Sequence, residues 1–243
     1  MTTSTKPSTI ELGEITVQVV QKEIKNIHLS VYPPSGAVRI AAPLRTNMET
    51  IRVFAISKLG WIKQQQQKLR AQERETPREY LDRESHYLWG KRYLLKLIER
   101  DEVPQITLAH NTLLLQIRPQ ASDAKKQAIV DGWYRQQVKQ AAPPLFAKWE
   151  PILGVQVARF FVQQMKTKWG SCSPALCSIR LNTDLAKKPP ECLEYIVVHE
   201  MVHLLEPTHN SRFIALMDQF MPHWPFVRDQ LNQLPVRHET WAY

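Results

Sequence analysis

Residues 193–209 read LEYIVVHEMVHLLEPTH, and the spacing of the polar residues in this stretch decides how the rest of the chain is read. His199 and His203 are four positions apart, so on a helix they project from one face about 40° apart, close enough to grip one metal ion. Glu200 lies between them, placed to reach a metal-bound water without becoming a ligand. The other positions are almost all apolar: Leu193, Ile196, Val197, Val198, Met201, Val202, Leu204 and Leu205. That pattern predicts a buried helix with one polar stripe. An ionisable Glu200 inside such a helix is costly without a functional partner, which weighs against three core histidines that happen to fall near one another.

Hydrolytic zinc takes three protein ligands and one open position. The third ligand cannot lie further along the same straight helix, because it would be carried away from the ion. Pro207 disfavours helical geometry at Glu206 and ends the helix about one turn past His203. The chain can then turn back and bring His209 to the metal. HExxHxxExxH has the spacing of the metzincin signature HExxHxxGxxH, with Glu206 where the glycine stands, so the turn has to be made by other means. Glu206 has three open readings: a ligand in place of His209, a group orienting a ligand imidazole, or a solvent-facing helix end.

Upstream, Pro190 and Glu191 suit the first turn of the central helix. Residues 155–165 and 176–182 alternate as strands around KTKWGSCSPA and are expected to form a hairpin. The second of them is a candidate edge for pairing with an extended peptide. Lys166, Lys168, Trp169, Arg180 and Arg212 are candidates for substrate binding or oxyanion stabilisation. Downstream, Asn210 or Ser211 caps a helix carrying Phe213, Leu216, Met217 and Phe220, and PHWPF ends it. A short last helix over residues 227–234 is expected after it.

Toward the N-terminus, a polar dozen residues precede three runs alternating at strand period: Ile15, Val17 and Val19; Ile27, Leu29 and Val31; Val38 and Ile40. They predict an antiparallel set. Asn47 caps a helix that runs on through QQQQ to about residue 76. Residues 87–118 return to strands, with His86 and His110 read as surface or turn histidines. Ser122 caps a helix expected to stop at Pro143 and Pro144, with a short helix following and Gly154 closing it. No sequence repeat is visible. The expected fold is α+β, with a strand-rich N-terminal subdomain over 1–120 and a zincin-like domain over 121–243.

Composition narrows the function classes. Of 243 residues, 43% are apolar and 23% charged, as in ordinary globular proteins and unlike disordered ones. No run reaches the roughly 18 apolar residues of a membrane span, and the N-terminus has no signal-peptide core, so a soluble cytoplasmic protein without membrane partners is expected. Cys172, Cys177 and Cys192 are too few and too irregular for a disulfide scaffold and read as free thiols. Lys plus Arg outnumber Asp plus Glu by 32 to 23. Such a balance favours anionic partners, nucleic acid first, although a well-solvated surface has the same composition.

The runs MKTKWGSCSPALCSIRLNTDL and YIVVHEMVHLLEPTHNSRF, with a distal FMPHW, resemble the YgjP-like metallopeptidases, relatives of the SprT-like and WLM zincins. AAP at residues 41–43 before a helix also fits that layout. The resemblance implies a minimal zincin domain with His199, His203 and His209 holding Zn2+ and Glu200 as catalytic base, acting on protein or peptide substrates. The expected function is zinc-dependent peptide-bond hydrolysis. The alternative is a nucleic-acid-associated zinc protein, in which the metal is structural or the protease acts on DNA-bound proteins. The resemblance says nothing about oligomeric state.

Overall fold

The computed structural model describes residues 8–32, 35–71, 75 and 78–237. In chain order they form β1 (Ser8–Leu12), β2 (Ile15–Lys22), β3 (His28–Tyr32), β4 (Ala37–Pro43), α1 (Met48–Ser57), α2 (Leu59–Ala71), β5 (Ser85–Leu88), β6 (Lys91–Glu99), β7 (Gln105–Ala109), β8 (Thr112–Ile117), α3 (Asp123–Leu153), β9 (Arg159–Gln163), β10 (Gly170–Ser173), β11 (Ser178–Asn182), α4 (Pro190–Val202), α5 (Ser211–Phe220) and α6 (Trp224–Gln233). A 3-10 turn at Thr183–Lys187 links β11 to α4. The mixed α+β class expected from the sequence holds, as three small sheets and six α-helices among the described residues.

Two compact units divide the described residues, one ending at residue 71 and the other beginning at residue 75. In the first, the sheet order is β1-β2-β4-β3, and β2 runs parallel to β4. The antiparallel set expected from periodicity is therefore only partly realised: alternation reports which face is buried, not which neighbour a strand pairs with. β1 lies within the polar stretch that the sequence left without structure, paired with β2 through Ile10 and Val17. Asn47 caps α1 as expected, its Oδ1 accepting from Thr50 N at 2.7 Å. The single long helix is instead two, broken at Lys58. Ile51, Ala55 and Ile62 from these helices close a separate small core over Val17, Val19 and Ile40.

The second unit repeats the strand plan. Its four-stranded sheet has the order β5-β6-β8-β7, again two antiparallel hairpins joined by a parallel pair, β6 with β8. No sequence repeat announces this likeness. Leu88, Leu95, Leu113 and Leu115 from this sheet share one core with Val130, Tyr134 and Val138 of α3 and with Ile196 and Val197 of α4. The compact units thus part between residues 71 and 75, whereas the sequence drew its line at 120/121. The apolar face of the sheet over 85–117 packs with the C-terminal elements, and hydropathy alone carries no sign of that choice.

α3 passes through Pro143, Pro144 and Pro151 without stopping, contrary to the two helices expected. Each proline removes one backbone hydrogen bond. Val130, Tyr134, Val138, Ala142, Phe146, Trp149 and Leu153 nevertheless recur every three or four residues on one buried face, and that burial outweighs the lost bonds. Ser122 and a left-handed Gly154 bound the helix as expected.

The three-stranded sheet also departs from the expected hairpin. Its order is β10-β11-β9, with β9 parallel to β11 and β10 antiparallel to it. The segment read as a turn supplies β10, and β11 is the central strand, so β11 cannot be the open edge. His86, expected at the surface, is 1% exposed. It belongs to a buried charge cluster: Arg237 binds Asp184 and Asp131, Lys187 binds Asp184 and Glu75, and Arg78 binds Glu75 and Glu84, all at 2.7–3.2 Å. His86 Nε2 lies 3.2 Å from Glu84.

Candidate metal centre

α4 begins at Pro190 and ends at Val202, with Glu191 in its first turn. The backbone then makes tighter turns, Leu204 N to Met201 O and Leu205 N to Val202 O, so the helix stops slightly earlier than expected. Past Pro207 the chain reverses. Glu206 arranges this reversal, since its carboxylate accepts from Thr208 N at 3.3 Å and Thr208 Oγ1 at 3.0 Å. Asn210 then caps α5, accepting from Phe213 N at 3.0 Å.

The outcome is a convergence of three imidazoles. The ligand atoms of His199, His203 and His209 all lie within 4.8 Å of one another, and together they could hold a metal ion. His199 Nε2 and His209 Nε2 are 3.0 Å apart, close to the roughly 3.3 Å that separates two nitrogens around a tetrahedral zinc. His203 Nδ1 lies 3.0 Å from the Glu206 carbonyl. A carbonyl only accepts, so Nδ1 carries the proton and Nε2 is left as the bare donor. Of the three readings of Glu206, the structure therefore displays an orienting one, through the backbone, with the carboxylate turned to Thr208 and absent from the cluster.

Electrostatics keep two of these rings, His199 and His209, in the ligating form. Burial pushes His199 down to about 3, with His203 and His209 adding to the effect. His209 is lowered by burial, His203 and Lys168. Metal binding requires neutral imidazole, and the lowering of His199 and His209 favours it. His199 Nδ1 is buried without a partner. Donor set, spacing and protonation all fit a divalent metal.

Sequence reading missed what packs behind the rings. Phe213 is 1% exposed, and its ring centroid lies 4.7–4.9 Å from those of all three histidines. It was legible only as a core position of α5. Tyr195, one helical turn before His199, meets that ring edge-on at 5.8 Å and stacks on Trp224 of α6 at 6.4 Å. Tyr195 and Trp224 stand in the runs that carry the family resemblance, YIVVHEMVHLLEPTHNSRF and FMPHW, but nothing in the sequence set them beside His199.

Glu200 is 5% exposed and faces a cavity of about 500 Å³ lined by β10, the three histidines, Lys168, Trp169, Tyr195 and the α6 residues Arg228, Leu231 and Asn232. Burial pushes its carboxyl up to about 7, against a lowering pull from Lys168. Gly170 lets β10 come this close: a Cβ there would lie 2.7 Å from Glu200 Oε1 and 2.9 Å from Ile196 Cγ2. Asn182 fixes the approach to β10. Its Nδ2 donates to Met165 O at 2.8 Å and Lys168 O at 2.9 Å, and its backbone N donates to Trp169 O at 2.9 Å. Of the five candidate substrate contacts, Lys168 and Trp169 line the cavity, while Lys166, Arg180 and Arg212 do not.

The family model for the YgjP-like metallopeptidase domain matches residues 25–234. The chain belongs to the YgjP-like metallopeptidase family. This YgjP-like chain is also similar to a solved structure, the crystal structure of the metallopeptidase zymogen of Pyrococcus abyssi abylysin. The match covers 40% of this chain and 90% of that one, at 21% identity and a TM-score of 0.32. No curated protein matches the chain. No helix among the described residues is long and apolar enough to cross a membrane.

Proposed function

We propose that the chain is a zinc-dependent peptidase in which His199, His203 and His209 hold the metal and Glu200 is the general base for peptide-bond hydrolysis. The convergence of the three imidazoles beside a buried carboxylate on the same helix carries this reading. Three nitrogen ligands suit zinc, which when bound polarises a carbonyl oxygen and acidifies water. The remaining work falls to the chain's own side chains.

Glu200 takes the proton of the attacking water on a carboxylate oxygen and returns it to the leaving amine; a carboxyl whose affinity for protons lies near neutrality can do both. The Glu206 carbonyl holds His203 in one tautomer and one orientation. Trp169 and Tyr195 narrow the cleft and limit water around the reacting bond. Among the described residues β10 is paired only on its β11 side, so its outer backbone groups can take an extended peptide along the cleft. That role passes from β11, where the sequence placed it, to β10. Substrates are accordingly proteins or peptides with an extended segment.

Glu200→Gln tests the reading. The variant keeps its metal by elemental analysis and loses cleavage of a denatured protein; full activity in a folded, metal-loaded variant would discard Glu200 as the base.

A further inference from the structure

The sheet that walls the cleft with β10 presents a second surface on its other face. Alternation along β9 turns Phe160 and Val162 inward and Arg159, Phe161 and Gln163 outward. Phe161 stands directly opposite Arg180 on β11, and Arg180 opposite Ser171 on β10. The Phe161 ring is 44% exposed. The guanidinium groups of Arg159 and Arg180 each lie 5.9 Å from its centroid. Neither arginine has an ion-pair partner among the described residues.

The local charge is as one-sided as the geometry. Residues 155–183, which contain all three strands, include Arg159, Lys166, Lys168 and Arg180 and not one Asp or Glu. Elsewhere the chain mixes signs, 32 basic against 23 acidic residues in all. Two arginines without an ion-pair partner among the described residues around an exposed ring give folding only two weak cation–π contacts, set against their mutual repulsion. Such a face does suit a partner that is polyanionic and has flat faces to stack.

We propose that this face binds single-stranded nucleic acid, with one base stacked on Phe161 and the neighbouring phosphates met by Arg159 and Arg180. Base stacking on an aromatic ring within a cationic track is tolerant of sequence. A duplex keeps its bases stacked on each other and offers the ring nothing. An acidic protein segment answers the charge but has no use for Phe161. The surface needs neither the metal nor Glu200, so it stands or falls separately from the peptidase reading.

The test is fluorescence anisotropy of the full-length protein, metal-free and zinc-loaded, with a labelled oligothymidylate of about 20 nucleotides, long enough to cover one such site. Binding is expected in both forms, with log affinity falling linearly with log salt. Phe161→Ala weakens it about tenfold or more and leaves the salt slope unchanged. Arg159→Ala with Arg180→Ala lowers the slope by about 1.4, two phosphates at about 0.7 each. Lys125→Ala, an exposed lysine on α3, changes neither. Phe161→Leu keeps the apolar volume without the ring and weakens binding as well, which settles the matter if Phe161→Ala does not fold. The proposal is overturned if the parent does not bind the oligonucleotide, if a folded Phe161 variant binds like the parent, or if a duplex or polyglutamate of matched charge competes equally well.

Discussion

The imidazoles of His199, His203 and His209 converge with Glu200 as the only carboxylate lining their cleft among the described residues, whereas the cluster around Asp184 gives its charges opposite partners. Both groups lie in the same unit, and Glu200, His203 and Asp184 are buried. Around Asp184, burial would raise the carboxyl, and Lys187 and Arg237 instead hold it down at about 2. Glu75 is likewise lowered by Lys187 and Arg78 in spite of burial. Around Glu200 burial wins, and the carboxyl rises to about 7. A paired cluster ties elements together: Arg237 anchors the segment after α6 to α3 and to the turn before α4. An unpaired one keeps its lone pairs for a ligand that the fold itself does not supply. Pairing of opposite charges separates a structural polar core from a site built to bind, and His86 Nε2, buried without a hydrogen-bond partner, is the neutral exception in the core.

Glu200→Gln is the strongest way to break the contrast. Cleavage falls by about 10²–10⁴-fold, the range general-base catalysis contributes, while urea unfolding stays close to the parent. A variant as unstable as one from the charge cluster would show Glu200 to be structural. Arg237→Ala is the converse: removing one partner of a buried network costs about 3–5 kcal/mol, read by urea denaturation, with metal content preserved in the folded fraction. Unchanged stability would mean that the network holds nothing together. Gly170→Ala tests the join between sheet and base. Overpacking of about 1–3 kcal/mol displaces Glu200 or β10, and kcat falls more than metal affinity does.

Acid titration of stability sharpens the comparison further. Burial, helped by Arg78 and opposed by Glu84, pushes His86 down to about 4 from 6.5. Its unfolded form therefore takes up a proton first, and its contribution is complete above about pH 6.5 and lost as pH falls toward 4. Asp184 contributes above its ordinary 3.8, and its share disappears as pH falls toward 2. Urea midpoints are thus expected to decline in two stages on acidification, and His86→Gln to shrink the first, of which His199 and His209 hold a share. A first stage undiminished in that variant would assign it elsewhere. The smallest effect belongs to Glu206→Gln: metal affinity changes by less than about tenfold, because the backbone carbonyl rather than the carboxylate meets His203. Equilibrium dialysis would overturn this if the metal were lost as completely as in His209→Ala.

Much of the site was readable because it is local. His199, Glu200 and His203 share one helical turn, and Pro207 disfavours helical geometry at the residue just before it. Asn47, Ser122 and Asn210 cap helices through bonds three residues long, so those starts were legible too. The misreadings share a different cause. α3 continues through three prolines because its buried face is held by distant elements. β2 and β4 pair in parallel with β3 outside them, and period-two alternation is the same for either neighbour. His86 looked like a turn residue because Glu84, Arg78 and Lys187 come to it from two separated segments.

The sequence by itself set out the candidate donors, two imidazoles and a carboxylate in one helical turn with His209 beyond Pro207, since helix geometry and proline stereochemistry act over a few residues. Only the tertiary structure decided that β10 is the open edge, that Phe213 floors the three rings, that the Glu206 carbonyl orients His203, and that Phe161 sits between two arginines. Those placements depend on which surfaces meet across tens of residues, and burial energy sets that without leaving a local mark.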